Sequence, residues 1–151
     1  MLRAELNEAL KKSMKAKEKR TVSTVRLILA ALKDRDIAAR SKGNHEGIDD
    51  AEVLAILQSM VKQRHETKEI CEKGGRLELA EQEAEEIAVI ERFLPEPLDE
   101  KQTLAAVEEV MQELGAESLK DMGRTMAALR ERYAGRMDFA KASAIVKKRL
   151  G

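Results

Sequence analysis

The feature that most constrains this chain is where its two prolines stand. Both fall inside one stretch, FLPEPL, at Pro95 and Pro97. On either side of it apolar residues recur at spacings of three and four, with no sustained period-two alternation. Proline fixes φ, removes a backbone donor and restricts the residue before it. A pattern that is helical throughout and interrupted once predicts an all-α protein in two parts. We expect an N-terminal four-helix bundle-like domain over 1–94, a hinge at 95–97 and a C-terminal three-helix domain over 98–151. The second part, at roughly 50 residues, lies near the lower limit for an independent core.

Seven helices are expected. The first aligns Leu2, Leu6, Leu10 and Met14, then runs into the cations Lys15 to Arg20. Thr21 is the expected N-cap of the second, which aligns Val22, Val25, Ile28, Leu29 and Leu32. SKGNHEG then reads as a mobile loop. Asp49 with Glu52 predicts a capping box. Beyond it, Val53, Ile56, Leu57, Met60, Val61, Ile70 and Cys71 are the expected buried face of the third helix, closed by Gly74-Gly75. Leu77, Ala80, Ala84, Ile87, Ile90 and Leu94 mark the fourth. After the hinge, Asp99 with Gln102, Ser118 with Asp121, and Asp138 are the expected starts of three short helices. These carry Leu104 to Leu114, Leu119 to Tyr133 and Ala142 to Leu150.

Composition narrows the class. With 2% aromatics and 43% apolar residues over 151 positions, the chain can bury a core of aliphatic side chains but offers no platform for stacking single-stranded bases. Cys71 is the lone cysteine, so neither an internal disulfide nor a cysteine zinc cluster is available, and a reducing, cytoplasmic setting is expected. No apolar run approaches the ~18 residues a membrane helix needs.

Catalytic chemistry needs convergent polar groups, and few are in view. His45 lies in the polar loop and His65 on the flank of the third helix. Glu81, Glu85 and Glu86 read as a solvated helix face rather than a metal site. No GxxxxGK[ST], GxGxxG or GxSxG occurs. No catalytic residue, cofactor or metal is therefore assigned.

Charge is segregated where it totals zero. Residues 1–42 carry 12 cations and 5 anions, 43–97 carry 6 and 14, 98–117 carry 1 and 6, and 118–151 carry 9 and 3. The last block holds the candidate nucleic-acid contacts Lys120, Arg124, Arg130, Arg132, Arg136, Lys141, Lys147 and Lys148, with Arg149 beside them. Arg136 stands next to the start of the last helix, where backbone N–H groups can meet phosphate. A folded RNA would then be held by its backbone and shape. A charged surface balanced by the acidic block at 98–117 fits the same residues.

Four segments, RLILAALKDRDIAAR, VKQRHETKEICEKGGR, AEEIAVIERFLPEPL and MGRTMAALRERYAGRMDFAKASAIVKKRL, resemble the YqeY (GatB/YqeY-like) family over essentially the whole chain. The resemblance implies a helical N-terminal part and a C-terminal domain similar to the tail of GatB, a subunit of the glutamine-dependent aminoacyl-tRNA amidotransferase. There the tail contacts the body of tRNA, while activation and amidation occur elsewhere. The family is described as related to carbon–nitrogen ligases with glutamine as amido-N-donor. The tail motif falls on Met122, Gly123, Met126, Gly135, Arg136, Asp138, Val146, Lys147 and Leu150. Met137 and Phe139 stand where the commoner form has small residues.

The function expected from the residues and the resemblance together is a tRNA-binding accessory protein without independent catalysis. Its expected partners are tRNA and the amidotransferase or aminoacyl-tRNA synthetase proteins. Two alternatives are a catalytically competent amidotransferase component and a protein-interaction module with no RNA partner.

Overall fold

The computed structural model describes residues 1–151 and is all-helical, with seven α-helices, one 3-10 turn and no strand. It divides into two compact units, Met1–Pro95 and Glu96–Gly151.

The first unit is built from α1 (Leu2–Lys15), α2 (Lys19–Ser41), α3 (Asp50–Lys73) and α4 (Leu77–Glu91). Its core joins Leu6 of α1, Val25, Ile28 and Leu32 of α2, Val53 and Leu57 of α3, and Val89 and Ile90 of α4. These stripes follow the expected three-and-four spacing. The ends of the stripes do not. Ile70 is 70% exposed, Leu77 68% and Met14 50%, and Cys71 is only half-buried. All four lie towards helix ends, Met14 at the end of α1 and Ile70, Cys71 and Leu77 beside the turn between α3 and α4.

Helix starts also depart from expectation in two places. Helix α2 begins at Lys19 with Glu18 as its N-cap, so Thr21 is an interior, buried residue rather than a cap. At α3, Asp49 accepts from the Glu52 N–H at 2.9 Å, but the return bond of a full capping box is not formed.

The Gly- and Asn-containing loop between α2 and α3 is tied down. Asn44 Oδ1 accepts from the N–H groups of Glu46 and Gly47, and Asn44 Nδ2 donates to the Gly47 carbonyl. Arg3 donates both terminal nitrogens to the Asp36 carboxylate at 2.7 Å and one of them to the Ile48 carbonyl at 2.9 Å. The Ile48 N–H in turn donates to Asp36 at 2.9 Å. Gly47 is required at this clasp, because it has a φ of +98° and a Cβ there would stand 2.9 Å from the Arg3 guanidinium. Helix α1, helix α2 and the loop are thereby closed by one ion pair.

Thr24 is fully buried in this core, and its hydroxyl has no hydrogen-bond partner. Nothing in the structure explains that choice. Thr24→Val keeps the shape and removes the unsatisfied oxygen. It is expected to raise stability by about 1 kcal/mol, read as a higher urea midpoint with unchanged slope.

The second unit contains α5 (Glu100–Leu114), a 3-10 turn (Leu119–Asp121), α6 (Met122–Arg132) and α7 (Phe139–Leu150). Asp99 and Gln102 form a complete capping box, and Gly115 closes α5 in the left-handed conformation. Ser118 and Asp121 also form a box, but it opens the 3-10 turn, with α6 following at Met122. Val107, Val110, Leu129, Met137, Ala142 and Val146 make the core, while Leu104 and Leu119 lie outside it.

Candidate nucleic-acid interface

The candidate cations stand on three elements of the second unit and on the turn between two of them. Lys120 lies on the 3-10 turn, Arg124, Arg130 and Arg132 on α6, Arg136 in the turn after it, and Lys141, Lys147 and Lys148 on α7. Helix α7 forms because Asp138 caps it and an apolar stripe through Ala142, Val146 and Leu150 buries one side. Lys141 and Lys148 are seven residues apart, nearly two turns, so they share the opposite, exposed side. Lys147 flanks them, about 100° round the helix.

The arginines are largely engaged. Arg132 pairs with Glu113 of α5 at 2.5 Å, and Arg149 pairs with Glu108 of the same helix. The Glu113 carboxylate raises the Arg132 pKa further. Arg124 pairs with Asp121 at 3.0 Å. The Asp121 carboxylate also accepts from the backbone N–H groups of Glu117 and Ser118, and these bonds, with Arg124, hold its pKa below the usual range. Arg130 lies over the Phe139 ring, 5.9 Å from its centroid, in cation–π range.

Arg136 has a structural task. Its Nε donates to the Glu96 carbonyl at 3.0 Å, and its own carbonyl accepts from the Leu98 N–H at 2.8 Å. It fastens the first residues of the unit to the turn before α7. The following residue, Met137, is 1% exposed and sits in the core, which is why a large side chain is accommodated at this turn.

The first N–H groups of α7 are engaged within the chain. Asp138 accepts from the N–H groups of Ala140 and Lys141, at 3.1 and 3.3 Å, so a carboxylate of the chain occupies the place an anion would take. Asp138 is thus the cap of α7 that its position in the sequence predicts.

What the structure leaves as an open cationic surface is therefore Lys120, Lys141, Lys147 and Lys148, all exposed and none in an ion pair, with the Arg130 guanidinium on Phe139. The long-range pairs to α5 were not legible from the sequence, because partners 19 and 41 residues apart follow no local spacing. Both histidines are exposed. No helix is long and apolar enough to cross a membrane.

A family model described as "Yqey-like protein" matches residues 3–150. Among curated relatives, an uncharacterised Schizosaccharomyces pombe protein is 33% identical over 95 residues, covering 63% of this chain and 73% of its own length. "Altered inheritance of mitochondria protein 41, mitochondrial" from Eremothecium gossypii is 32% identical over 105 residues, covering 68% of this chain and 55% of its own. Its counterpart in Lachancea thermotolerans is 31% identical over 91 residues, covering 60% and 46%. The chain thus spans about half the length of these two mitochondrial relatives.

Proposed function

The chain belongs to the Yqey-like protein family, and from that premise we propose that it is a tRNA-binding accessory protein that performs no catalysis of its own. The observation that carries this reading is the exposed lysine side of α7. Lys141 and Lys148 lie in register with Lys147 beside them, and no carboxylate is paired with any of the three. A row of unpaired ammonium groups on a rigid helix suits the phosphate backbone of a folded RNA, which is recognised by shape and charge. The GatB-like resemblance of this unit points to tRNA among folded RNAs, with amidotransferase or aminoacyl-tRNA synthetase proteins as companions. A reducing compartment suits the single half-buried thiol of Cys71.

The test is tRNA binding by the full chain carrying Lys141→Glu, Lys147→Glu and Lys148→Glu together. Affinity is expected to fall at least about tenfold, and the dependence of log K on log salt to flatten by roughly one for each phosphate no longer neutralised. Helicity should be unchanged, since all three side chains are exposed. Unaltered affinity and salt slope overturn the proposal. Arg136→Glu is a poor probe, because it also breaks the bond to Glu96.

A second reading, a protein-interaction module without RNA, draws on the ion pairs of Arg132 and Arg149 with α5, which remove two of the cations. It predicts a purified protein free of nucleic acid and indifferent to added tRNA.

A further inference from the structure

We propose that the corner between α1 and α2 is a docking surface, and that its occupant is the tip of the α3–α4 hairpin of a second copy of this chain. The inference is independent of the RNA reading, because it concerns the other unit and different side chains.

The corner is cationic around an apolar floor. Lys17 turns the chain there with a left-handed φ of 58°. An open concavity of about 440 Å³ is lined by Met14, Lys17, Lys19, Val22, Ser23 and Arg26. Residues 11–26 hold seven cations and one anion. Of these cations only Arg20 is ion-paired, to Glu85 and Glu86. Met14, half-exposed, is the floor that water covers in one isolated molecule.

The hairpin tip is its complement. No residue from 58 to 79 is buried, although α3 and α4 continue through that stretch. Helix α3 runs nine residues past Arg64, roughly 14 Å at 1.5 Å per residue. Ile70, Leu77 and Leu79 are exposed on this arm. The ion pairs of residues 66–83 are Lys68 with Glu72 and Lys73 with Glu69, both inside α3. Glu66, Glu78, Glu81 and Glu83 have no cation partner, and Arg76 is the one unpaired cation among them, so the unpaired groups of the tip carry a net negative charge. One surface is thus apolar with an unpaired cationic rim, and the other is apolar with an unpaired anionic rim.

Within one molecule the two surfaces leave each other uncovered, as the exposure of Met14 and Leu77 shows. In a two-fold dimer each tip meets the partner's corner and both interfaces close. Phosphate on an RNA or a lipid would satisfy the lysines of the corner but leave Ile70 and Leu77 in water. A second copy satisfies both.

The test is sedimentation velocity of the full chain over a range of concentrations. A dimer is expected at low salt, with an apparent dissociation constant that rises at least about tenfold when the ionic strength shortens the Debye length to a few ångströms. Lys17→Glu with Lys19→Glu at the corner, and Glu78→Lys with Glu81→Lys at the tip, should each give a monomer of unchanged helicity. An equimolar mixture of the two variants should dimerise again, because each corner then meets a tip of opposite sign. A wild-type chain that stays monomeric, a dimer insensitive to either variant, or a mixture that fails to associate overturns the proposal. So does a monomer whose corner binds phosphatidylserine vesicles or RNA instead.

Discussion

Arg64→Ala is expected to destabilise the N-terminal unit by roughly 3 kcal/mol, the cost of leaving a largely buried carboxylate short of its counter-ion. Arg64 Nε donates to Glu86 at 3.0 Å, and its Nη1 donates to the Met60 carbonyl. Only 14% of the Arg64 side chain and 12% of Glu86 remain accessible. Once Arg64 is truncated, the remaining cation is Arg20, 3.8 Å from the carboxylate and beyond direct hydrogen-bond reach. Replacing both members, Arg64→Met with Glu86→Leu, should recover most of the loss, because the desolvation cost disappears with the charges. Amide hydrogen exchange in α4 is the suitable readout. The molecule has two separate cores, and a whole-chain helicity melt would average them. Equal destabilisation by the single and the double replacement would show that the pair matters through packing and not through charge.

Acid is expected to remove a comparable contribution at the clasp of α1, α2 and the following loop. The hydrogen bonds from Arg3, then that from the Ile48 N–H, hold the Asp36 carboxyl down to about 2 from an ordinary value of 3.8. A carboxyl with a lowered folded-state pKa binds fewer protons folded than unfolded, so protonation favours unfolding. The contribution, on the order of 2 kcal/mol, is complete above the ordinary carboxylate range and is lost as pH falls towards the folded value. Asp36→Asn should lose it at neutral pH and show a flatter stability profile between about pH 5 and pH 2. Protection of the Gly47 and Ile48 amides would fall first, since those groups are fastened by this ion pair and by Asn44. A variant with the wild-type acid profile would exclude Asp36 as the group responsible.

Both predictions concern interactions between residues distant in sequence, and these were the features hardest to read in advance. The Asp99–Gln102 box and the left-handed Gly115 were legible because each is settled within four or five residues. Thr21 misled because a threonine before an apolar run resembles a cap, whereas the helix had already started at Lys19 and tertiary packing buried it. Ile70 and Leu77 misled in another way. Their spacing is that of a buried stripe, yet both side chains stay exposed beside the turn that joins α3 to α4.

The candidate site divides along the same line. That the last 34 residues are cationic could be counted from the sequence, and Asp138 as the cap of α7 could be read from its position. Which of those cations remain open could not. Arg132 and Arg149 are drawn to Glu113 and Glu108 only because folding lays α6 and α7 beside α5, and Arg136 is drawn to Glu96 because the turn before α7 meets the start of the unit.

Local periodicity and end signals by themselves therefore determined an all-helical chain and most of its helix ends, since those interactions span no more than a turn or two. The tertiary structure alone decided which charges are spent on partners and which apolar faces are left uncovered. Those outcomes depend on distances between elements that only packing brings together.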